Sequence, residues 1–332
     1  MQKRNASFSD ALDQTACHAT RDDQMDNIRF LMIFFVVFGH LIETFRGNDC
    51  TDSIYRCIYT FHMPVFLFLS GYFARFKPKA AVRKILLPYI VFQCLYLAFE
   101  FFILHNKKRF NLQFTTPFWL LWYLLVLFVY TLLLPLFQTD KARVAFRNLM
   151  ICIVLSLVVG FDTTIEYTLS LSRIFVFLPF FVAGHYCAVF SVRSVINQHR
   201  RLAAVCSGGI ILALEALIFF LQVPAFVFYG SLPYDRVDSN ILIRLLFILC
   251  AFAWCVFFLA VVSRKRLRII TGIGQRTLPV FLLHGFLKRV IQTFKWLGGD
   301  PYINLLYAGG ITIVLLLILS APPLNKGFKK LF

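Results

Sequence analysis

The chain has 332 residues, of which 59% are hydrophobic and 17% aromatic, with forty Phe. Its mean hydropathy of +0.74 excludes a soluble globular domain. The formal net charge of +18 is in the range of nucleic-acid-binding proteins, but the basic residues lie in short loops between apolar runs, where membrane topology explains them. We therefore predict an all-α integral membrane protein without a nucleic-acid partner.

Apolar stretches of membrane-spanning length occur ten times along the chain. The predicted spans are 28–45, 54–74, 86–105, 118–137, 148–161, 173–190, 202–222, 241–262, 277–294 and 302–321. Because most connections are short, we expect a single bundle of about ten transmembrane helices over residues 25–332. Residues 1–24 are polar, lack a secretory signal pattern and are expected to form a disordered cytoplasmic tail.

The distribution of basic residues predicts the orientation of the bundle. With the N-terminus inside, the inner segments hold 23 of the 34 Lys and Arg, which places both termini in the cytoplasm. The outer loop NKKRF (106–110) is the exception to this rule. The prediction is a multi-pass protein of the bacterial cytoplasmic (inner) membrane. Cys50 and Cys57 lie near the first outer loop, where they could pair in an oxidising compartment.

Arg29 and His40 lie eleven residues apart in the first span, IRFLMIFFVVFGHLIETF. Eleven helical steps come to three turns plus about 20°, so the two side chains share one helix face, about 16 Å apart. An imidazole at that depth usually marks a functional site, because ionisable groups are costly in a membrane. The alternatives are an Arg29 that only anchors to headgroups and a His40 that is only hydrogen-bonded to a neighbouring helix.

Two carboxylates accompany this pair. Asp26 precedes Arg29 by three residues, where it can pair with the guanidinium or share an anionic ligand with it. Glu43 follows His40 by three residues, where a carboxylate would fix the tautomer of the imidazole. We interpret His40 as a general base and Glu43 as the group that orients it.

The second span, SIYRCIYTFHMPVFLFLSGYFARF, runs back toward the cytoplasm. It brings His62 to about the depth of His40, so the two imidazoles are predicted to face one cavity. Pro64 lacks an N–H group and is expected to disturb the helix about one turn before it. The small pair Ser70 and Gly71 is interpreted as a site of close helix packing.

A basic cluster follows the second span. Arg75, Arg83 and Lys84 lie on the predicted cytoplasmic face, as does Arg29, where such a cluster either anchors to anionic lipid or binds a phosphorylated ligand. Trp122 in the fourth span and His284 in the ninth are further candidates for a substrate pocket, with packing or interfacial anchoring as the alternative. No zinc pattern is visible, and we expect no metal.

These motifs resemble the membrane acyltransferase family 3. The resemblance rests on DNIR (26–29), the R-x10-H spacing, FHMPVFLFLSGYF (61–73) and RKILLPY (83–89), and it continues in TPFWLLWYLLVLF (116–128), LPFFVAGHY (178–186) and IGQRTLPVFLLHGFL (273–287). Within the family the chain looks most like the fucose 4-O-acetylase-type branch. Lys84 stands where an arginine is common, and Thr277 replaces the usual Ser.

The resemblance implies an O-acetyltransferase that uses acetyl-CoA as donor and modifies a hydroxyl of a surface polysaccharide or of a lipid-linked sugar. Arg29 and His40 match the family's motif positions, and Arg83 matches the basic position before the third helix. Its expected partners are a carbohydrate acceptor, membrane lipid and other components of polysaccharide assembly.

Two other function classes stay open at this point. A proton-coupled transporter or flippase for a sugar or glycolipid would also use intramembrane His and Glu residues, although no inverted repeat is visible. A non-catalytic partner of a glycan synthase would leave His40 and Glu43 replaceable.

Overall fold

The computed structural model describes residues 22–332, whose regular secondary structure is all helical, without strands. The helices, numbered in chain order, are α1 (Asp23–Ile42), α2 (Asp49–Tyr72), α3 (Pro78–Ile103), α4 (Trp122–Phe137), α5 (Ala142–Phe161), α6 (Leu171–Val189), α7 (Val192–Gln198), α8 (Arg200–Phe220), α9 (Ile241–Val261), α10 (Arg268–Gly274), α11 (Thr277–Thr293), α12 (Pro301–Leu319) and α13 (Pro322–Leu331). All ten predicted spans coincide with a helix, and the short α7, α10 and α13 fall outside them. The predicted tail of residues 1–21 lies outside the described residues.

Seven of the described helices are long and apolar enough to cross a membrane, namely α1, α3, α5, α6, α8, α9 and α12. Of the other three that coincide with predicted spans, α2 and α11 carry more polar and charged residues, and α4 is shorter. The chain is thus an integral membrane protein of the all-α class. The full count of ten spans stays a prediction.

Helix α1 begins before the apolar run from which the first span was predicted. Asp22 caps the helix by accepting a hydrogen bond from the backbone N–H of Met25. The amide of Gln24 donates to the carbonyl of Leu259 at 2.8 Å, and the amide of Asn27 donates to that of Ser263 at 2.9 Å. The polar residues before the apolar run are therefore buried against the end of α9 and the connection that follows it.

Helices α2 and α6 cross at very close range. A Cβ atom at Gly71 would lie 1.9 Å from the carbonyl oxygen of Phe181, and one at Gly184 would lie 1.9 Å from that of Phe68. Glycine is therefore needed on both sides of the crossing, as expected where membrane helices pack backbone to backbone. This confirms the packing interpretation of Gly71. Helix α2 continues through Pro64.

Cys50 and Cys57 are both free thiols on helix α2. Seven residues along one helix separate them by about 10 Å, which is beyond the reach of a disulfide. The pairing considered from the sequence therefore does not form.

The hydrogen bonds define two ends of the bundle. At one end, here called the basic end, Asp22 pairs with Arg193 and the start of α1 binds residues 259–265. At the other, the cavity end, the connections after α1, α3, α5 and α8 surround a cavity. The cytoplasmic location of the basic end is a prediction from its charge.

Candidate active site

A cavity of about 250 Å³ opens at the cavity end of the bundle. Its wall is mainly aromatic, with two imidazoles, one carboxylate and one guanidinium: His40, Glu43, Tyr55, Tyr59, His62, Met63, Pro117, Trp119, Leu120, Trp122, Tyr167, Arg173, Phe177, Phe228, Tyr229 and Phe281. Binding sites for small ligands combine such an apolar wall with a few convergent polar groups.

His40 lies in the last turn of α1 and contacts a second histidine. Its Nδ1 is 3.0 Å from Nε2 of His284, and its ring centre is 4.3 Å from that of Trp119. Nδ1 of His284 is in turn 2.9 Å from the carbonyl oxygen of Val280. A carbonyl only accepts, so a neutral His284 carries its proton on Nδ1 and presents Nε2 as an acceptor. His40 then donates from Nδ1, which leaves its own Nε2 unprotonated.

His62 is held in the same tautomer by a different contact. Its Nδ1 is 2.7 Å from the carbonyl oxygen of Ile58, and its ring packs edge-on against Tyr59 at 4.5 Å. A neutral His62 therefore also keeps Nε2 free of a proton. His40 and His62 both line the cavity, in agreement with the predicted placement.

Glu43 lines the cavity but does not make the predicted contact with His40. Its Oε1 lies 3.4 Å from Nζ of Lys288, whose side chain is 3% exposed, and its Oε2 is buried without a hydrogen-bond partner among residues 22–332. A buried ammonium needs a partner charge, and Glu43 is the carboxylate that supplies it. The group that orients His40 is thus His284.

Lys288 also contacts the wall residue Trp119. Its Nζ lies 4.2 Å from the centre of a Trp119 ring and 2.9 Å from Oε1 of Gln292. A cation over an indole face is attracted by the ring, and the attraction grows when water is excluded. Trp119 is therefore fixed between Lys288 and His40.

Arg173 and Trp122 form the opposite part of the wall. The guanidinium lies 4.9 Å from the centre of a Trp122 ring, and its Nε donates to the carbonyl oxygen of Tyr229 at 3.1 Å. The predicted pocket residue Trp122 thus lines the cavity. The other predicted pocket residue, His284, does not line it but contacts His40, which does.

The predicted donor-binding residues lie away from this cavity. Asp26 and Arg29 form the expected pair at 3.0 Å, and the guanidinium of Arg29 lies 4.2 Å from the ring centre of Phe73. Arg29 therefore faces a neighbouring helix end within the protein. The three other predicted cations are exposed, and neither they nor Asp26 and Arg29 line the cavity: Arg75, Arg83 and Lys84.

Sequence reasoning missed three residues of the site: Trp119, Arg173 and Lys288. Lys288 follows His284 by four residues, so the helical spacing could have drawn attention to it. Arg173 is a charge at the start of an apolar run and resembles an ordinary interfacial anchor. Trp119 lies in the connection before α4, where no periodic pattern applies.

The chain is thus an all-helical membrane bundle with an aromatic cavity that His40 and His62 line. The chain belongs to the acyltransferase 3 family, since the family model described as an acyltransferase domain matches residues 22–321. The family favours an enzyme over the carrier that the sequence had left open.

A similar curated protein is the nodulation protein NolL of Sinorhizobium fredii, which is 25% identical over 186 residues. The match covers 49% of this chain and 48% of that protein, so the chain spans about half the length of this relative. No solved structure matches the chain.

Proposed function

We propose that this membrane acyltransferase is an O-acetyltransferase. It moves an acetyl group from acetyl-CoA to a hydroxyl of a surface polysaccharide or a lipid-linked sugar, and His40 is the general base. The observation that supports this best is the chain of hydrogen bonds from Val280 through His284 to His40. This chain leaves an unprotonated ring nitrogen on a residue that lines the cavity.

In the proposed reaction, Nε2 of His40 removes the proton of the sugar hydroxyl as its oxygen attacks the acetyl carbonyl. The tetrahedral intermediate collapses by breaking the carbon–sulfur bond, and the CoA thiolate takes up a proton. A positioned base of this kind contributes about 10²–10⁴-fold to the rate. His284 keeps the His40 ring in the required tautomer. His62, whose neutral ring keeps Nε2 free of a proton, serves as a second proton carrier. The alternative role, a donor to the developing oxyanion, requires the protonated form of His62.

The wall of the cavity supports a carbohydrate as the acceptor. Trp119, Trp122 and the other aromatic residues of the wall supply apolar surface for the C–H side of a sugar ring. Oε2 of Glu43, buried without a partner among the described residues, is an acceptor for a second sugar hydroxyl. Arg173 donates from the same wall.

Donor and acceptor approach from opposite ends in this proposal. The basic residues Arg29, Arg75, Arg83 and Lys84, with Asp26 beside Arg29, receive the phosphates of acetyl-CoA. Arg29 and His40 are separated by about 16 Å along α1, a distance that the pantetheine arm has to cover. The acceptor enters through the cavity end, supplied by membrane-bound components of polysaccharide assembly.

Transfer of labelled acetyl groups in isolated membranes tests this function. Membranes that contain the protein are incubated with acetyl-CoA labelled in the acetyl group, and label in the glycan and lipid-linked sugar fractions is counted. The proposal expects label in one of these fractions, and a mass increase of one acetyl group on the glycan. Label that stays in the donor, with glycans of unchanged mass, contradicts it.

A further inference from the structure

A second cavity of about 410 Å³ lies at the basic end of the bundle. It is bordered by the last residue of α2, the end of α6, helix α7 and the connection after α9. Its wall is lined by one aromatic residue and six polar ones: Tyr72, Ser191, Arg193, Ser194, Asn197, Gln198 and Arg264. Its size is within the range of small-molecule sites, about 300–1,000 Å³.

Several hydrogen bonds hold the wall of this cavity in place. Asp22, the cap of α1, forms an ion pair with Arg193. The amide of Asn27 donates to the carbonyls of Ser263 and Lys265, at 2.9 and 3.0 Å, and so fixes the connection that carries Arg264. The cavity is thus formed by packed elements of the bundle.

Two polar groups in the wall lack a matching partner within residues 22–332. Oδ1 of Asn197 is buried and accepts no hydrogen bond. The positive charge of Arg193 is balanced by Asp22, whereas Arg264 contacts only the carbonyl oxygen of Asn197, at 3.4 Å. A buried acceptor requires a donor, and the exposed guanidinium of Arg264 is available to an anion. A ligand that carries both an N–H donor and a phosphate satisfies the two together.

We infer that this cavity binds the adenosine phosphate end of the acyl-CoA donor. Asn197 accepts from the amino group of the adenine, and Arg264 binds the phosphate on the ribose. The inference rests on the proposed function and assigns its donor a second contact region, separate from Arg29. A bare phosphate would leave Asn197 without a donor, whereas the donor of the proposed function carries both an amino group and a phosphate.

The position of the cavity agrees with a donor that continues toward Arg29. The ring of Tyr72, in the cavity wall, is 5.0 Å from the ring of Phe73. The guanidinium of Arg29 lies 4.2 Å from the centre of that same Phe73 ring. The side chains of Tyr72 and Phe73 thus lie between the cavity and Arg29, which is on the helix that carries His40.

The test is binding of CoA and of dephospho-CoA, which lacks the ribose phosphate, to the full-length protein in lipid nanodiscs. Arg264→Gln is compared with Arg266→Gln, which removes the same charge from the same connection but lies outside the cavity wall. Arg264→Gln should weaken CoA binding about tenfold, the effect of one charged hydrogen bond, and change dephospho-CoA binding little. Arg266→Gln should bind both ligands as the unmodified protein does.

Equal affinities of the two variants for CoA would overturn the inference and leave the proposed function standing. Failure of the unmodified protein to bind CoA at all would contradict both this inference and the proposal that acetyl-CoA is the donor. A third outcome is that phosphatidylglycerol in the nanodisc raises the thermal stability of the protein, that Arg264→Gln abolishes this increase, and that CoA does not compete with the lipid. That result would assign the cavity to a lipid headgroup and overturn the inference.

Discussion

At the scale of single residues, the site depends on which nitrogen of each imidazole carries the proton. The carbonyl of Val280 determines the tautomer of His284, and His284 determines that of His40. Both partners are supplied by one helix, α11, which crosses the end of α1. A carboxylate is therefore not needed to orient His40, and Glu43 is left to balance the charge of Lys288.

We predict that His284 acts as a positioning residue. His284→Ala should lower kcat by about 10–100-fold, because His40 loses the acceptor that fixes its tautomer. The KM for acetyl-CoA should stay the same, since His284 lies far from the basic end. His284→Gln, whose side-chain oxygen is an acceptor near the same place, should recover part of kcat. Steady-state kinetics in membranes measure both parameters.

A purely structural role for His284 would have a different signature. The yield of folded protein and kcat would then fall together, and the Gln variant would not rescue activity. His105→Ala is the matched control, because His105 is exposed in the connection after α3 and should leave both parameters unchanged.

The sequence was sufficient to predict His40, His62 and Trp122 as neighbours of one cavity, and Asp26 and Arg29 as a pair. These predictions used residues on one helix or the depth of a residue along a span. The partners of His40 and Glu43 come from α11, far along the chain. The spacing of residues along one helix shows which of them share a face of that helix. It does not show which helix from a distant part of the chain packs against that face.

At the scale of helices, the ten predicted spans coincide with ten helices because long apolar runs have no other stable form in a bilayer. The first predicted span begins at residue 28 with the apolar run, whereas α1 begins at Asp23 with polar residues that hydrogen-bond to residues 259–265. Helix α2 is continuous through Pro64, which is buried among its neighbours.

The close crossing of α2 and α6 leads to a stability prediction. Gly184→Val should lower the yield and the thermal stability of the protein, because the added side chain would overlap the backbone of Phe68. Gly209→Val is the control: Gly209 lies on α8 with no atom within 4 Å of an added Cβ. Fluorescence-detected size-exclusion chromatography after heating compares the two variants, and equal melting temperatures would contradict the assigned crossing.

At the scale of the whole molecule, the two ends of the bundle differ in chemistry. One end carries exposed cations and the cavity at Arg264, and the other carries an aromatic cavity with His40 and His62. This difference between the two ends suits a reaction whose donor and acceptor are present on opposite sides of a membrane. It requires that the basic end face the cytoplasm.

Cysteine labelling tests that orientation. In a cysteine-free background, Lys107→Cys should react with a membrane-impermeant maleimide in intact cells, and Lys326→Cys should react only after lysis. Both positions are exposed, and Lys107 belongs to the one loop whose charge disagrees with the predicted topology. The reverse labelling pattern would place the basic end outside and contradict the proposed path of the donor.

The central claim is that Nε2 of His40 removes the proton of the acceptor hydroxyl, and His40→Asn tests it most directly. An asparagine amide can still donate to His284 but has no group in the place of Nε2. In membranes with matched protein levels, we predict that acetyl transfer to glycan falls by at least about 10²-fold while CoA binding is unchanged. Transfer at the rate of the unmodified protein would contradict the account.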